Sequence, residues 1–183
     1  FSQEIIKKIK GNKRTLVTVG LFLIITISLI DQIFSFNPHD NFWEIKKRFD
    51  SNSEFVSRIE QNAPNANSVF QLPIQKYPEG KGGCLSGTYD HLYPFLHSSN
   101  HNWSFGAVAG RDGAKQYEDF EELSTIELIN KIKDMGFNAV WIDNRSCIDG
   151  WKIQSEISEI TNGTLHTSQD FKYIFIDISD YVK

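Results

Sequence analysis

With 183 residues, of which 40% are apolar and 13% aromatic, the chain can build one packed domain with room for a small appendage. The formal net charge of −4 is unevenly distributed: five basic residues against one acidic residue give residues 1–14 a net charge of +4, so residues 15–183 carry −8. An acidic body argues against a nucleic-acid partner, because contacts with phosphates need a basic face.

The first element is an apolar run, "TLVTVGLFLIITISLI", which follows the basic block and contains no charge and no proline. A helix that spans a bilayer needs about 20 residues, and residues 15–36 reach that length. A signal peptide and a buried core helix are alternatives, but the run lacks a clear cleavage site and a polar face. We therefore predict a transmembrane helix at 15–36. The basic residues 1–14 should be cytoplasmic and residues 38–183 extracytoplasmic. If residues 1–14 are a short loop, this span is the last of several.

The exterior segment begins with an amphipathic helical pattern, "NFWEIKKRFDSNSEFVSRIEQNA", which "DSNS" could divide into two helices. "SVFQLPI" then predicts a strand, and its proline indicates an edge strand or a strand end. Residues 75–120 are rich in glycine, proline, asparagine, histidine and aromatic residues and show little periodicity. We expect an ordered, loop-rich surface there that carries a binding function.

The last third of the chain alternates helices and strands. Ser124 and Glu127 form a capping-box pattern at the start of a helix, and Gly136 suits its end. "FNAVWID" and "DFKYIFIDIS" predict buried strands, and "DGWKIQSEISEI" predicts a helix between them. This order predicts an α/β fold, with a mixed, partly parallel sheet and flanking helices, preceded by the transmembrane helix. Ligands of such sheets gather at the carboxyl ends of strands, where Asp143 and Asp177 are expected.

The segment "YDHLYPFLHSSNHNW" holds candidate chemical groups. Asp90, His91, His97 and His101 could bind a transition metal, but their spacing matches no compact metal motif, so we predict no metal site. The alternative is a ligand surface. Trp103 and Phe105 could stack on a sugar while His97 and Asn100 bind its hydroxyl groups.

A second cluster of polar residues lies in "WIDNRSCID". Arg145 could bind a phosphate bidentately or pair internally with Asp143, and we favour the internal pair. Arg111 follows the glycine-containing "GAVAG", which is not a phosphate-loop signature. An exterior location would allow the two cysteines, Cys84 and Cys147, to form a disulfide, and two buried thiols are the alternative.

Five segments together suggest a family. "VFQLPIQKYPE", "YDHLYPFLHS", "NWSFGAVAGR", "GFNAVWIDNR" and "FIDISDY" occur in this order over residues 66–182. They resemble the C-terminal exterior region of bacterial polytopic membrane proteins of the sugar-translocase, multi-span glycosyltransferase and phosphoglycerol-transferase-like groups.

The resemblance implies a role in modifying a cell-envelope glycan at the bacterial cytoplasmic membrane, with a polyprenyl-phosphate sugar as donor. The catalytic carboxylate of such transferases usually lies in an early exterior loop, so this chain would supply an accessory recognition domain without a cofactor. The motif positions that become candidates for the recognition surface are Tyr89, Asp90, His91, His97, Trp103, Gly106, Arg111 and Asp143, beside Arg145 from the second cluster. Two alternatives stay open: a self-contained hydrolase or transferase that uses Asp90, His91 and Asp143, and a single-span interaction protein of the envelope.

Overall fold

The structure is a computed structural model that describes residues 2–35, 42–75 and 89–183, apart from residues 107, 109, 116, 118, 119 and 147. The chain divides into two compact units, Phe1–Lys46 and Lys47–Lys183. The predicted pair Cys84 and Cys147 lies outside the described residues.

The first unit is dominated by helix α1, Ser2–Ser35. Its residues Thr15–Gln32 are long and apolar enough to cross a membrane, and none of them is buried. Length and composition alone carry this assignment, and a signal sequence passes the same test. The basic residues before the apolar run belong to the same continuous helix, so no break in secondary structure separates the two predicted segments.

Helix α2, Phe42–Asn62, follows, and it runs without interruption through "DSNS". The predicted alternative of two helices is therefore wrong. The reason is packing: Phe55, Val56 and Ile59 are buried on one face of the helix, and Asn52 is buried with them. Burial of such a face outweighs the weak helix propensity of serine, asparagine and aspartate.

Five strands among the described residues form one mixed sheet in the order β2-β1-β3-β5-β4. The strands are β1 Ser68–Leu72, β2 Asn102–Trp103, β3 Ala139–Asp143, β4 Thr164–Thr167 and β5 Tyr173–Asp177. Strands β1, β2 and β3 are parallel to one another, while β5 runs antiparallel to both β3 and β4. The predicted α/β class with a partly parallel sheet is confirmed. Pro73 follows the end of β1, which is not an edge strand.

Four further helices lie among the described residues after β1: α3 Leu92–His97, α4 Asp112–Lys115, α5 Thr125–Asp134 and α6 Gly150–Thr161. The Glu127 carboxylate accepts hydrogen bonds from the Ser124 amide and hydroxyl groups at the start of α5, as the capping pattern predicts. Gly136 follows the helix with a φ of +87°, a conformation that glycine adopts without strain.

The sheet has a helical layer on each face. On one face, Phe55 and Ile59 of α2 pack with Val69, Trp141 and Phe175. On the other face, α5 and α6 pack against the apolar side chains of β1, β3 and β5 that point that way. Both faces of β3 are therefore covered, which explains why all five of its residues are buried.

The antiparallel β5 corrects the predicted position of Asp177. Asp143 pairs with Tyr173 at one edge of the sheet, whereas Asp177 pairs with Ala139 at the other edge. The two Ile-Asp pairs therefore do not converge. Asp177 instead accepts a hydrogen bond from the Ser179 amide in the turn after β5.

Candidate functional site at the carboxyl edge of the sheet

The carboxyl ends of β1, β2 and β3 meet at one edge of the sheet, and β5 begins there. Asp143 is the last residue of β3, and Arg145 follows in the turn after it. Asp90 lies in the turn before α3. In open α/β sheets this edge is where ligands usually bind, which makes these three residues the first candidates.

Asp90, Asp143 and Arg145 form a compact ion cluster, which we call the edge triad. The guanidinium Nε lies 2.9 Å from Asp143 Oδ1, and Nη2 lies 2.6 Å from Asp143 Oδ2. Nη2 also lies 2.8 Å from Asp90 Oδ2. The Arg145 amide donates to Asp143 Oδ1 at 3.0 Å, so both oxygens of that carboxylate are engaged. The favoured internal pair between Arg145 and Asp143 is thus present.

The edge triad is buried and carries one excess negative charge if all three groups are ionised. The Asp143 side chain is 1% exposed, and those of Asp90 and Arg145 are 9% and 17% exposed. Burial raises the pKa of Asp90, and the charge of Asp143 raises it further, although Arg145 opposes both effects. Burial also lowers the pKa of Arg145, but its hydrogen bonds to Asp143 and the negative charges of Asp143 and Asp90 together outweigh that effect and raise the pKa above its ordinary value. Arg145 therefore stays charged.

The aromatic ring of Tyr173 packs against the guanidinium group of Arg145. The Arg145 Cζ atom lies 5.0 Å from the centroid of the Tyr173 ring, a cation–π geometry. Burial raises the pKa of Tyr173, so its hydroxyl stays protonated at neutral pH. A row of rings continues from Tyr173 to Trp141 and on to Trp103, with centroid separations of 4.9 and 5.4 Å. Sequence reasoning missed Tyr173, which only the strand register with Asp143 would have indicated.

His91 follows Asp90 in the chain but serves the scaffold. It is 1% exposed, and its Nε2 atom lies 2.7 Å from the carbonyl oxygen of Pro73. Since a carbonyl only accepts, Nε2 must carry the proton. Burial lowers the pKa of His91, so the ring is neutral. Its Nδ1 atom is closed off from solvent, with no hydrogen-bond partner among the residues that the structure describes.

Gln71 connects strand β1 to two loops at the same edge, the turn before α3 and the loop after β2. Its side chain donates from Nε2 to the His91 carbonyl and accepts from the Phe105 amide, both at 2.8 Å, while its own amide donates to Ser104 Oγ. Gln71 was not among the candidate residues, although a glutamine within the apolar "VFQLP" indicates a buried polar group that needs partners. A buried polar side chain in a strand has to be satisfied by its surroundings.

His97 and Trp103 lie among internal contacts. The His97 ring packs against Phe49 with centroids 4.3 Å apart. Trp103 packs edge-on against Trp141 and lies next to His101, and its Nε1 atom is buried. A sugar would have to displace these neighbours in order to stack on Trp103.

Glu60 organises the turn that contains Asn100 and His101. Its Oε1 atom accepts from Ser98 Oγ, from the amides of Ser99 and Asn100 and from His101 Nδ1, at 2.8 to 3.2 Å. Burial raises the pKa of Glu60, but these hydrogen bonds dominate and lower it to about 2. The candidate sugar-binding segment is thus a loop fastened to α2.

Tyr89 and Arg111 are the exposed members of the candidate set. Tyr89 is half exposed in the turn before Asp90. Arg111 is exposed in the turn before α4, where its amide donates to the carbonyl of Val108. Of the nine candidate residues, the structure therefore brings together Asp90, Asp143 and Arg145, with His91 beside them.

No known family model, curated protein or solved structure matches this chain. The assignment of function therefore depends on the geometry of this chain. Within the described ranges, no group of three or more histidine, cysteine or acidic side chains converges as metal ligands would.

Proposed function

We propose that residues 47–183 form the recognition domain of a larger bacterial membrane transferase that modifies a cell-envelope glycan. Helix α1 anchors the chain in the cytoplasmic membrane, with the basic residues 1–14 inside and the domain outside. The partners are the lipid bilayer and either a polyprenyl-phosphate sugar or the envelope glycan itself. The reacting carboxylate belongs to an upstream part of the enzyme.

The observation that carries this proposal is that the Asp143 carboxylate, the Arg145 guanidinium group and His91 Nε2 already have hydrogen-bond partners within the domain. A general acid or base must come within hydrogen-bond reach of a substrate proton. Both oxygens of Asp143 are already bound to Arg145, and His91 Nε2 is bound to Pro73. These residues stabilise the edge of the sheet, and recognition is left to the surface around them.

The proposal that helix α1 anchors the chain in a membrane is supported by the composition of the first unit. Residues Thr15–Gln32 are apolar and exposed, and five basic residues precede them. Phe42, Trp43 and Ile45 at the start of α2 are each more than half exposed, and aromatic residues are enriched at membrane interfaces.

One observation favours the self-contained enzyme as a second candidate. Burial raises the pKa of Asp90 at the edge of the sheet where ligands usually bind. A carboxyl group with a raised pKa is a candidate general acid. This alternative requires Arg145 to release Asp90 when a substrate binds.

The test uses the full chain reconstituted in lipid nanodiscs. Its binding to immobilised O-polysaccharide and wall-polysaccharide fragments is measured together with release of sugar or lipid phosphate. We expect binding without turnover. Turnover that Asp143→Asn abolishes while the fold is intact would replace this proposal with the self-contained enzyme. The absence of both binding and turnover would overturn the recognition role.

The location is tested separately with a reporter enzyme fused after residue 183. A reporter that is active only outside the cytoplasmic membrane is expected to be active in this fusion. An active cytoplasmic reporter in the same position would contradict the proposed orientation.

A further inference from the structure

Two large aromatic rings lie side by side on the surface of the second unit. Trp151, in the first turn of α6, is 44% exposed, and Phe171, in the turn between β4 and β5, is 62% exposed. Their ring centroids are 6.1 Å apart and their planes are inclined by 51°. Single exposed apolar residues are ordinary, but two adjacent exposed rings call for an explanation.

The backbone of Phe171 adds an independent observation. Its φ of +56° lies in the left-handed region, which a bulky residue rarely adopts. The Phe171 amide donates to the carbonyl of Ser168 at 3.0 Å, and the side chain of Asn144 donates to the Phe171 carbonyl at 3.3 Å. The chain thus holds a strained conformation that presents the ring to solvent. Such strain is concentrated at functional sites.

Asn144 connects the pair to the edge of the sheet described above. Asn144 is the residue after Asp143, and its amide donates to the Lys172 carbonyl at 2.8 Å. A Cβ atom on Gly150 would lie 2.5 Å from Asn144 Oδ1, so a larger residue there would displace the Asn144 side chain that holds the Phe171 carbonyl. Trp151 and Phe171 are therefore positioned by the same turn that carries Arg145 of the edge triad.

The size and surroundings of the pair favour a sugar over a protein. Aromatic side chains bury about 150–250 Å² each, so the exposed parts of two rings offer roughly 200 Å². A stable protein interface needs about 800 Å² per partner. Among the polar side chains next to the two rings in the chain, Lys152 is exposed, and Lys172 and Asp170 form a partly exposed ion pair at 2.8 Å. Aromatic faces with polar groups around them suit a ring that has an apolar face and a rim of hydroxyl groups.

We propose that Trp151 and Phe171 form a stacking platform for one pyranose ring of the envelope glycan. This inference rests on the proposed recognition function and locates it at the start of α6 and the turn before β5. Trp103, which the sequence indicated, is replaced in this role by a pair of rings that solvent already reaches. The exposed Lys152 and the partly exposed Lys172–Asp170 ion pair would bind the hydroxyl groups at the rim.

The test measures the binding of the same polysaccharide fragments to the full chain in nanodiscs. Phe171→Asn removes the ring and keeps a residue that tolerates a positive φ, and Trp151→Ser removes the other ring from an exposed position. Each change should weaken binding about tenfold or more, because stacked apolar area is lost. Phe171→Tyr and Trp151→Phe keep the rings and should keep most of the binding. Phe95→Ala, which removes a ring that is 59% exposed on α3, is the matched control and should leave binding unchanged.

The outcomes separate the two proposals. If the wild-type chain binds the fragments and the Phe171→Asn, Trp151→Ser double variant binds equally well, the platform is overturned and recognition lies elsewhere on the domain. If the wild-type chain binds none of them, both proposals fail. Circular dichroism checks that each variant keeps its secondary structure, so that a loss of binding can be assigned to the missing ring. Transfer of saturation from the protein to the sugar ring protons, lost in Phe171→Asn, would show the stacking directly.

Discussion

The edge triad provides the sharpest prediction about stability, and the perturbation is Arg145→Met. Methionine keeps an unbranched chain of similar length and removes the guanidinium group. The carboxylates of Asp143 and Asp90, which are 1% and 9% exposed, would lose their cationic partner. Asp143 would keep only the Arg145 amide among the three hydrogen bonds described for its two oxygens.

The expected loss follows from the cost of leaving buried charge unpaired. Removing one partner of a buried ion pair costs about 3–5 kcal/mol, whereas an exposed pair is worth about 0–1 kcal/mol. Lys115 and Asp112 form an exposed pair at 3.1 Å, with side chains that are 74% and 99% exposed. Lys115→Met is therefore the matched control, and we expect it to change the free energy of unfolding by less than about 1 kcal/mol.

Tryptophan fluorescence during urea unfolding, at a fixed detergent concentration, follows the second unit, because Trp141 lies in its core. The free energy of unfolding of Arg145→Met should fall by about 3–5 kcal/mol. A loss below about 1 kcal/mol, equal to that of Lys115→Met, would refute the reasoning. It would mean that Arg145 is available to a ligand and that the edge triad is an open site.

The remaining predictions concern Glu60, which binds the loop after α3, Gly163, which lies close to the backbone of β5, and Ser124, the cap of α5. The pKa of Glu60 lies at about 2 in the folded state and 4.5 otherwise. The stability that this shift gives is present above pH 4.5 and is lost as the pH falls toward 2. The wild-type chain should therefore lose up to about 3 kcal/mol of its stability advantage over Glu60→Gln as the pH falls from 4.5 toward 2. A difference in unfolding free energy that stays constant over this pH range would contradict the prediction. Gly163→Ala would push a Cβ atom into a backbone carbonyl of β5 and should cost about 1–3 kcal/mol in urea unfolding, whereas Gly113→Ala meets nothing and should cost little. Ser124→Ala should lower the unfolding free energy by about 1 kcal/mol through loss of the cap, and equal behaviour of Ser155→Ala on the exposed side of α6 would count against the cap.

The elements with strong local signals could be predicted from the sequence. The cap and the glycine stop define α5, and the continuous apolar runs identify β3 and β5 as buried strands. Strands β2 and β4 could not be predicted, because β2 has only two residues and β4 reads as alternating polar and apolar residues after a turn. Short strands are stabilised by the sheet that they join, and that information is not local in the sequence.

The direction of β5, which the sequence did not indicate, decides which residues lie beside Asp143. An α-β-α-β order suggests parallel strands, but β4 and the turn after it return the chain to the carboxyl edge before β5 begins. This reversal carries Asp177 away from Asp143 and brings Tyr173 beside it. The pairing of Arg145 with Asp143 could be predicted because only one residue separates them. Its second pairing, with Asp90, depends on a contact between distant parts of the chain.

The same reversal explains how one edge of the sheet can combine a buried ion cluster with the proposed recognition surface. Because β5 begins where β3 ends, the buried edge triad and the turn that presents Phe171 share Asn144 and Lys172 as neighbours. Arg145 pairs with both Asp143 and Asp90, and these contacts hold the turn after β3 against the turn before α3. A turn that is fixed in this way can sustain a strained residue whose ring faces solvent. In the proposed recognition role, the charged residues that drew attention in the sequence act as positioning residues, and the exposed rings of Trp151 and Phe171 are the groups offered to the ligand.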